Sequence, residues 1–223
     1  MRIPLLLRFV LVLLTGLMLT ACQNRALTEQ RLDRFVEEVI FGGPIDGHLP
    51  KDDRIVKWSE AVLVAVLGTD TITYRPRVAA QVARISRISG LDVRMADAAH
   101  LANLKVTFVK TADFNINREN VPCFASVSNE LDRIANAKVR ISTANPELVD
   151  HCLSHELLHA LGLLYHSGIV RSALSPAHRD AEITPWDELA LRVLYDARLK
   201  AGAVRADAVP IMKEIVSELI AGS

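Results

Sequence analysis

Excess charge is the first thing missing. Lysine and arginine number 26 against 26 acids, and no run of bases breaks the balance. Chains that hold nucleic acid carry a basic excess or stripe, so no nucleic acid is expected among the partners. A membrane-spanning segment is missing too: the apolar stretch near the N-terminus, Phe9 to Leu19, falls short of the roughly 20 residues a permanent bilayer helix needs. No internal repeat and no low-complexity segment is present, which excludes solenoids and tethers of biased composition. Cysteine is limited to three residues, Cys22, Cys123 and Cys152, too few for a disulfide scaffold that replaces a core.

What is present begins at the N-terminus. Arg2 and Arg8 precede the short apolar run, and Leu19-Thr20-Ala21-Cys22 follows it. This order of charge, apolar length, small residues and cysteine resembles the lipobox of bacterial lipoproteins. The resemblance implies a cleaved signal peptide over residues 1–21 and lipidation (palmitate among the acyl chains) at Cys22. Residues 22–29 then form an acylated tether, and residues 30–223 a single domain. Gln23, rather than Asp, follows the cysteine and by the same resemblance favours the outer membrane, with the protein facing the periplasm. Membrane contact is expected through the acylated Cys22, since several acyl chains anchor far more firmly than one. Removing 21 of 223 residues leaves 202, enough to bury a core without staples. In an oxidising envelope Cys123 and Cys152 are expected to pair, with two buried thiols as the alternative. Closing that loop stabilises a fold by about 3–4 kcal/mol in the chain-entropy model.

Hydrophobic spacing supplies the elements. Thr28 to Ile40 reads as a helix with Leu32, Phe35, Val36, Val39 and Ile40 on one face, broken by Phe41-Gly42-Gly43-Pro44-Ile45-Asp46-Gly47. Val56 to Leu67 reads as one buried strand starting near Trp58, and Arg77 to Ser89 as a helix stopped by Gly90. Strands are expected at 91–95, 104–110, 123–128 (an edge) and 138–142. A helix follows from about 147 to 162 with Asn145 as its cap, another from Thr184 to about Leu199, and a last amphipathic stretch from Pro210 to Ile220. The order is α/β (α+β): one mixed sheet with helices packed on it.

Five of the seven histidines lie between His151 and His178, and within them stands His155-Glu156-Leu157-Leu158-His159. Residues four apart share a helix face, so both imidazoles can bind one metal ion, with Glu156 beside it as general base. Water held on Zn²⁺ ionises near pH ~7, which suits attack on an amide carbonyl. One Zn²⁺ per chain is the expected cofactor.

The stretch His155 to Ser167, HELLHALGLLYHS, resembles the helix, glycine turn and third histidine of the metzincin zinc peptidases, the matrixin branch in particular. Ser172-Ala173-Leu174-Ser175-Pro176 falls where that family has its Met-turn, and Ile183 to Asp196 is similar to its C-terminal helix. The resemblance implies a zincin-like fold over most of residues 54–199, with an active-site helix at about 147–162. It also implies a peptide or protein substrate in the cell envelope. The paired cysteines, the CLxHE segment and the LRxLYD ending are closer still to a family of proteobacterial lipoproteins with a domain of unknown function. Two positions depart from the metzincin pattern. The third ligand is expected ten residues after the first histidine, where Tyr165 stands, and His166 comes one later; the Met-turn position holds Leu174. His166 is taken as third ligand, with Glu188 as the alternative and Tyr165 as a candidate oxyanion donor. His178 and Glu182 read as surface-loop residues, and His151 as a first-turn residue. The function expected is a lipid-anchored zinc endopeptidase. The alternative is a catalytically inactive zincin-like lipoprotein that binds a peptide or envelope partner.

Overall fold

A computed structural model describes residues 26–47, 52–111, 114–116 and 119–222. The expected signal peptide, Cys22 and His48 lie outside these residues. Residues 26–41 form the first helix, α1, and Leu32, Phe35, Val36, Val39 and Ile40 are all buried in the main core. That single apolar face explains the helix. It gives way at Gly43 to a 3-10 turn, Pro44–Asp46. A side chain on Gly43 would meet Glu38 Cγ at 2.8 Å, so any larger residue there would have to displace the Glu38 side chain.

The central sheet has five strands. β1 (Val62–Gly68) lies between β2 (Val93–Met95) and β3 (Leu104–Val109), parallel to both. Two short strands, β4 (Phe114–Ile116) and β5 (Glu119–Val121), form a separate antiparallel ribbon. β6 (Cys123–Glu130) and β7 (Arg133–Ser142) follow; β7 is parallel to β3, and β6 closes the sheet as an antiparallel edge. The order is β2-β1-β3-β7-β6. Val64, Val106, Val139 and Ile141 are buried on the inner strands, as parallel strands covered by helices require.

Four more helices complete the described fold. α2 (Thr71–Ser89) packs on β1 and β2, α3 (Val149–Ala160) on β6 and β7, and α4 (Pro185–Tyr195) on α2. α5 (Arg205–Ala221) packs on α4. The disulfide Cys123–Cys152 joins β6 to the first turns of α3. No described helix is long and apolar enough to cross a membrane.

Five expectations need correction. Two elements start five residues early: β7 at Arg133 rather than Lys138, and α5 at Arg205 rather than Pro210, which lies inside the helix. β1 begins at Val62 rather than Val56, because the residues before it serve helix ends. Trp58 Nε1 donates to Ala160 O at 2.8 Å, and Lys57 Nζ donates to Leu194 O and Leu199 O at 2.8 and 2.6 Å. Burial, aided by the charge of Lys200, lowers the Lys57 amine to about 8. α2 starts at Thr71 rather than Arg77 and accommodates Pro76, with Tyr74 stacked on Phe108 at 4.3 Å. α4 stops at Tyr195, short of Leu199, where Lys57 gathers the chain's carbonyls.

Candidate metal centre

α3 presents His155, Glu156 and His159 on the side away from Leu157 and Leu158, which are buried in the core. It ends in a Schellman turn: Leu163 N donates to Leu158 O and Gly162 N to His159 O. Gly162 sits at φ 100°, and a Cβ there would lie 2.6 Å from Val56 O. Glycine is therefore required twice over, by conformation and by contact. The reversal lays the Leu163 carbonyl against His159, whose Nδ1 donates to it at 2.7 Å. His155 Nδ1 donates to Ala173 O, also at 2.7 Å. His166, beyond the turn, donates from Nδ1 to Asp46 Oδ1 at 3.0 Å.

These outer bonds decide the tautomers. Backbone carbonyls and a carboxylate only accept, so each Nδ1 carries its proton and each neutral ring leaves a bare lone pair on Nε2. The three Nε2 atoms converge: 3.0 Å between His155 and His159, and 3.3 Å from each of these to His166. Three lone pairs at such range repel one another unless a cation lies among them. Nitrogens about 2.0–2.1 Å from a tetrahedral zinc ion stand about 3.3–3.4 Å apart, so the donor set fits that ion. Among the described residues, this is the one group of three His, Cys, Asp or Glu that comes together in this way.

Electrostatics point the same way. Burial, with the neighbouring His166 adding to it, lowers His155 to about 3. Burial and the neighbouring imidazoles hold His159 well below its ordinary value. Both rings are thus neutral at neutral pH, the state a ligand needs. Glu156 is buried as well, and burial raises its carboxyl to about 8 against the hydrogen bond given by Ala125 N–H. Asp46 moves the other way: burial raises it, but hydrogen bonds from His166 and from Gly43 N–H prevail and lower it.

The imidazoles and Glu156 open on a cleft of about 320 Å³. Its other walls are Ile116 and Val121 of the β4–β5 ribbon, Phe124, Ala125 and Val127 of β6, and Leu164. The residues of α1 do not line it. That helix instead backs the third histidine: Tyr165 N donates to Val39 O, and Ser167 Oγ to Glu38 at 2.7 Å.

Other candidates are placed elsewhere. Glu188 binds Arg84 at 2.9 Å and is not among the grouped ligands, because a nearer cation claims its carboxylate. Tyr165 donates its hydroxyl to Asp52 at 3.0 Å and also accepts from Asp52 N, so it anchors the segment at Asp52, and it is not among the residues that line the cleft with the imidazoles. Glu182 is exposed beside Arg84, and His178 is exposed. His151 holds Asp180 O at 3.1 Å. Leu174 is buried beneath the turn. Asp187, the buried capping residue of α4, ties that turn in place through Ser172 Oγ (2.5 Å) and Ala173 N (3.0 Å). Sequence reasoning missed Asp46 and Asp187. For Asp187 the capping pattern was visible; for Asp46 the one signal was a lone acid in a glycine-rich loop.

The fold and site define a mixed α/β domain with three converged imidazoles and a buried glutamate beside them. The chain belongs to the family described as protein of unknown function DUF2927, which it matches over residues 29–214. That span takes in Asp46 and every residue of the centre. No protein of curated function matches the chain.

Proposed function

We propose that the chain is a zincin-like, zinc-dependent endopeptidase of the bacterial envelope, anchored through an acylated Cys22. The observation that carries the reading is the convergence of three imidazole Nε2 atoms beside a buried glutamate in an open cleft. His155, His159 and His166 would hold the ion. Zinc bound there supplies Lewis acidity and brings the pKa of its water to about 7. Glu156 would take a proton from water onto a carboxylate oxygen as the water oxygen bonds to the amide carbon, and deliver it to the amide nitrogen as the carbon–nitrogen bond breaks. Ala125 N–H fixes that carboxylate against β6. The sheet order, with an antiparallel edge strand beside the cleft, supports the zincin-like reading: an extended peptide can pair with β6 while its apolar side chains meet Phe124, Val127 and Leu164.

The test is peptide hydrolysis by zinc-loaded protein, with Glu156→Gln as control. Turnover lost by at least about 100-fold in the variant, with zinc retained, supports the reading. No turnover of any peptide in a diverse library by zinc-loaded protein contradicts it. The exposed edge of β6 also favours a second reading, a catalytically silent module that binds an extended peptide in the same cleft; there Glu156→Gln leaves binding unchanged. Mass analysis of the N-terminal peptide tests the anchor, which should carry acyl groups on Cys22.

A further inference from the structure

The third histidine stands one position later than the metzincin spacing expects, and the structure contains a device that accounts for it. Tyr165, at the expected position, is buried and engaged by other groups: its backbone N–H binds Val39 O and its hydroxyl binds Asp52. The next residue, His166, is held from both ends of its own unit by one carboxylate. Asp46 accepts from His166 N (3.2 and 3.3 Å) and from His166 Nδ1 (3.0 Å), and its Oδ2 also accepts from Gly43 N at 3.3 Å. Asp46 is 3% exposed and comes from the turn after α1, 120 residues away in the chain. The other two imidazoles are oriented by backbone carbonyls, so His166 is the ligand whose placement depends on a side chain.

We propose that Asp46 is the positioning residue that makes His166, rather than its neighbour, the third metal ligand. The inference rests on the metal-centre reading above. A carboxylate that accepts from both the backbone and the ring of one histidine fixes the ring's position, its rotation and its tautomer at once. It also makes Nε2 a stronger donor. Outer partners of this kind typically change metal affinity about 10- to 100-fold. The N-terminal helix thereby becomes a structural part of the centre: it carries the turn that completes the ligand set.

The test measures zinc affinity by competition with a chromophoric chelator, and the visible spectrum of the cobalt-substituted protein, for wild type, Asp46→Ala, Asp46→Asn and Tyr165→Phe. Circular dichroism and thermal melts of the metal-free proteins run alongside. Asp46→Ala should lose affinity about 10- to 100-fold and show a cobalt spectrum moved away from the wild-type coordination. Asp46→Asn keeps the volume but offers a single acceptor oxygen to the donors now shared by two; it should lie between the two and serves if the alanine variant does not fold. Tyr165→Phe, which loosens the adjoining anchor, should lower stability and leave affinity and spectrum alone. Equal affinity and spectrum in a folded Asp46 variant and wild type would overturn the inference. So would an equal loss in Tyr165→Phe, which would mean general loosening. A wild-type protein that takes up no zinc or cobalt would overturn the metal-centre reading itself, a distinguishable failure.

Discussion

Replacing Glu156 by glutamine should stabilise the metal-free protein, and the gain should grow with pH. Burial raises this carboxyl from 4.5 to about 8 in the folded chain. Below pH 4.5 both states hold the proton and nothing is lost. Between 4.5 and 8 the unfolded chain releases the proton while the folded chain keeps it, so stability falls as pH rises. At about 1.4 kcal/mol per pH unit, that window amounts to roughly 5 kcal/mol, an upper figure because local relaxation reduces it. Glutamine does not titrate and still offers an acceptor to Ala125 N–H. The assay is urea denaturation of wild type and variant after chelation, from pH 5 to pH 8, compared as a difference so that other groups cancel. The difference should be small at pH 5 and rise to several kcal/mol by pH 8. Zinc should shrink it, because a dication beside Glu156 favours the charged carboxylate. A difference that stays flat with pH, or that falls, would refute the argument.

Other substitutions test the supports around the site. Cys123→Ser with Cys152→Ser, or reduction, should lower stability by about 3–4 kcal/mol in urea titrations and loosen β6 against α3. Gly162→Ala should cost about 2 kcal/mol or more, since a Cβ meets Val56 O where φ is already positive. It should also weaken zinc binding by moving the Leu163 carbonyl from His159. Glu188→Gln should leave metal content unchanged while destabilising the α2–α4 contact through the loss of its ion pair with Arg84.

Much of the fold was legible because its elements follow strong periods. α1 shows most of its buried face in five apolar residues, and α4 announces its start with Thr184 and Asp187. The Cys123–Cys152 pairing was expected from the compartment implied by the leader. What failed was local chemistry decided at a distance. Val56 to Leu67 is apolar enough for one strand, yet Lys57 and Trp58 are drawn out to bind the ends of α3 and α4. The β4–β5 ribbon, a wall of the cleft, went unseen because two strands of three residues give too little alternation to read. In the site, His155, Glu156 and His159 are neighbours on a helix and so visible as a motif. Asp46 is brought to His166 only by the docking of α1, which no short-range pattern records.

The most direct measurement is elemental analysis of the purified protein beside a His155→Ala/His159→Ala double variant. The account predicts about one zinc per chain in the first and none in the second, with both folded. A folded wild-type protein that remains free of zinc after reconstitution would contradict it.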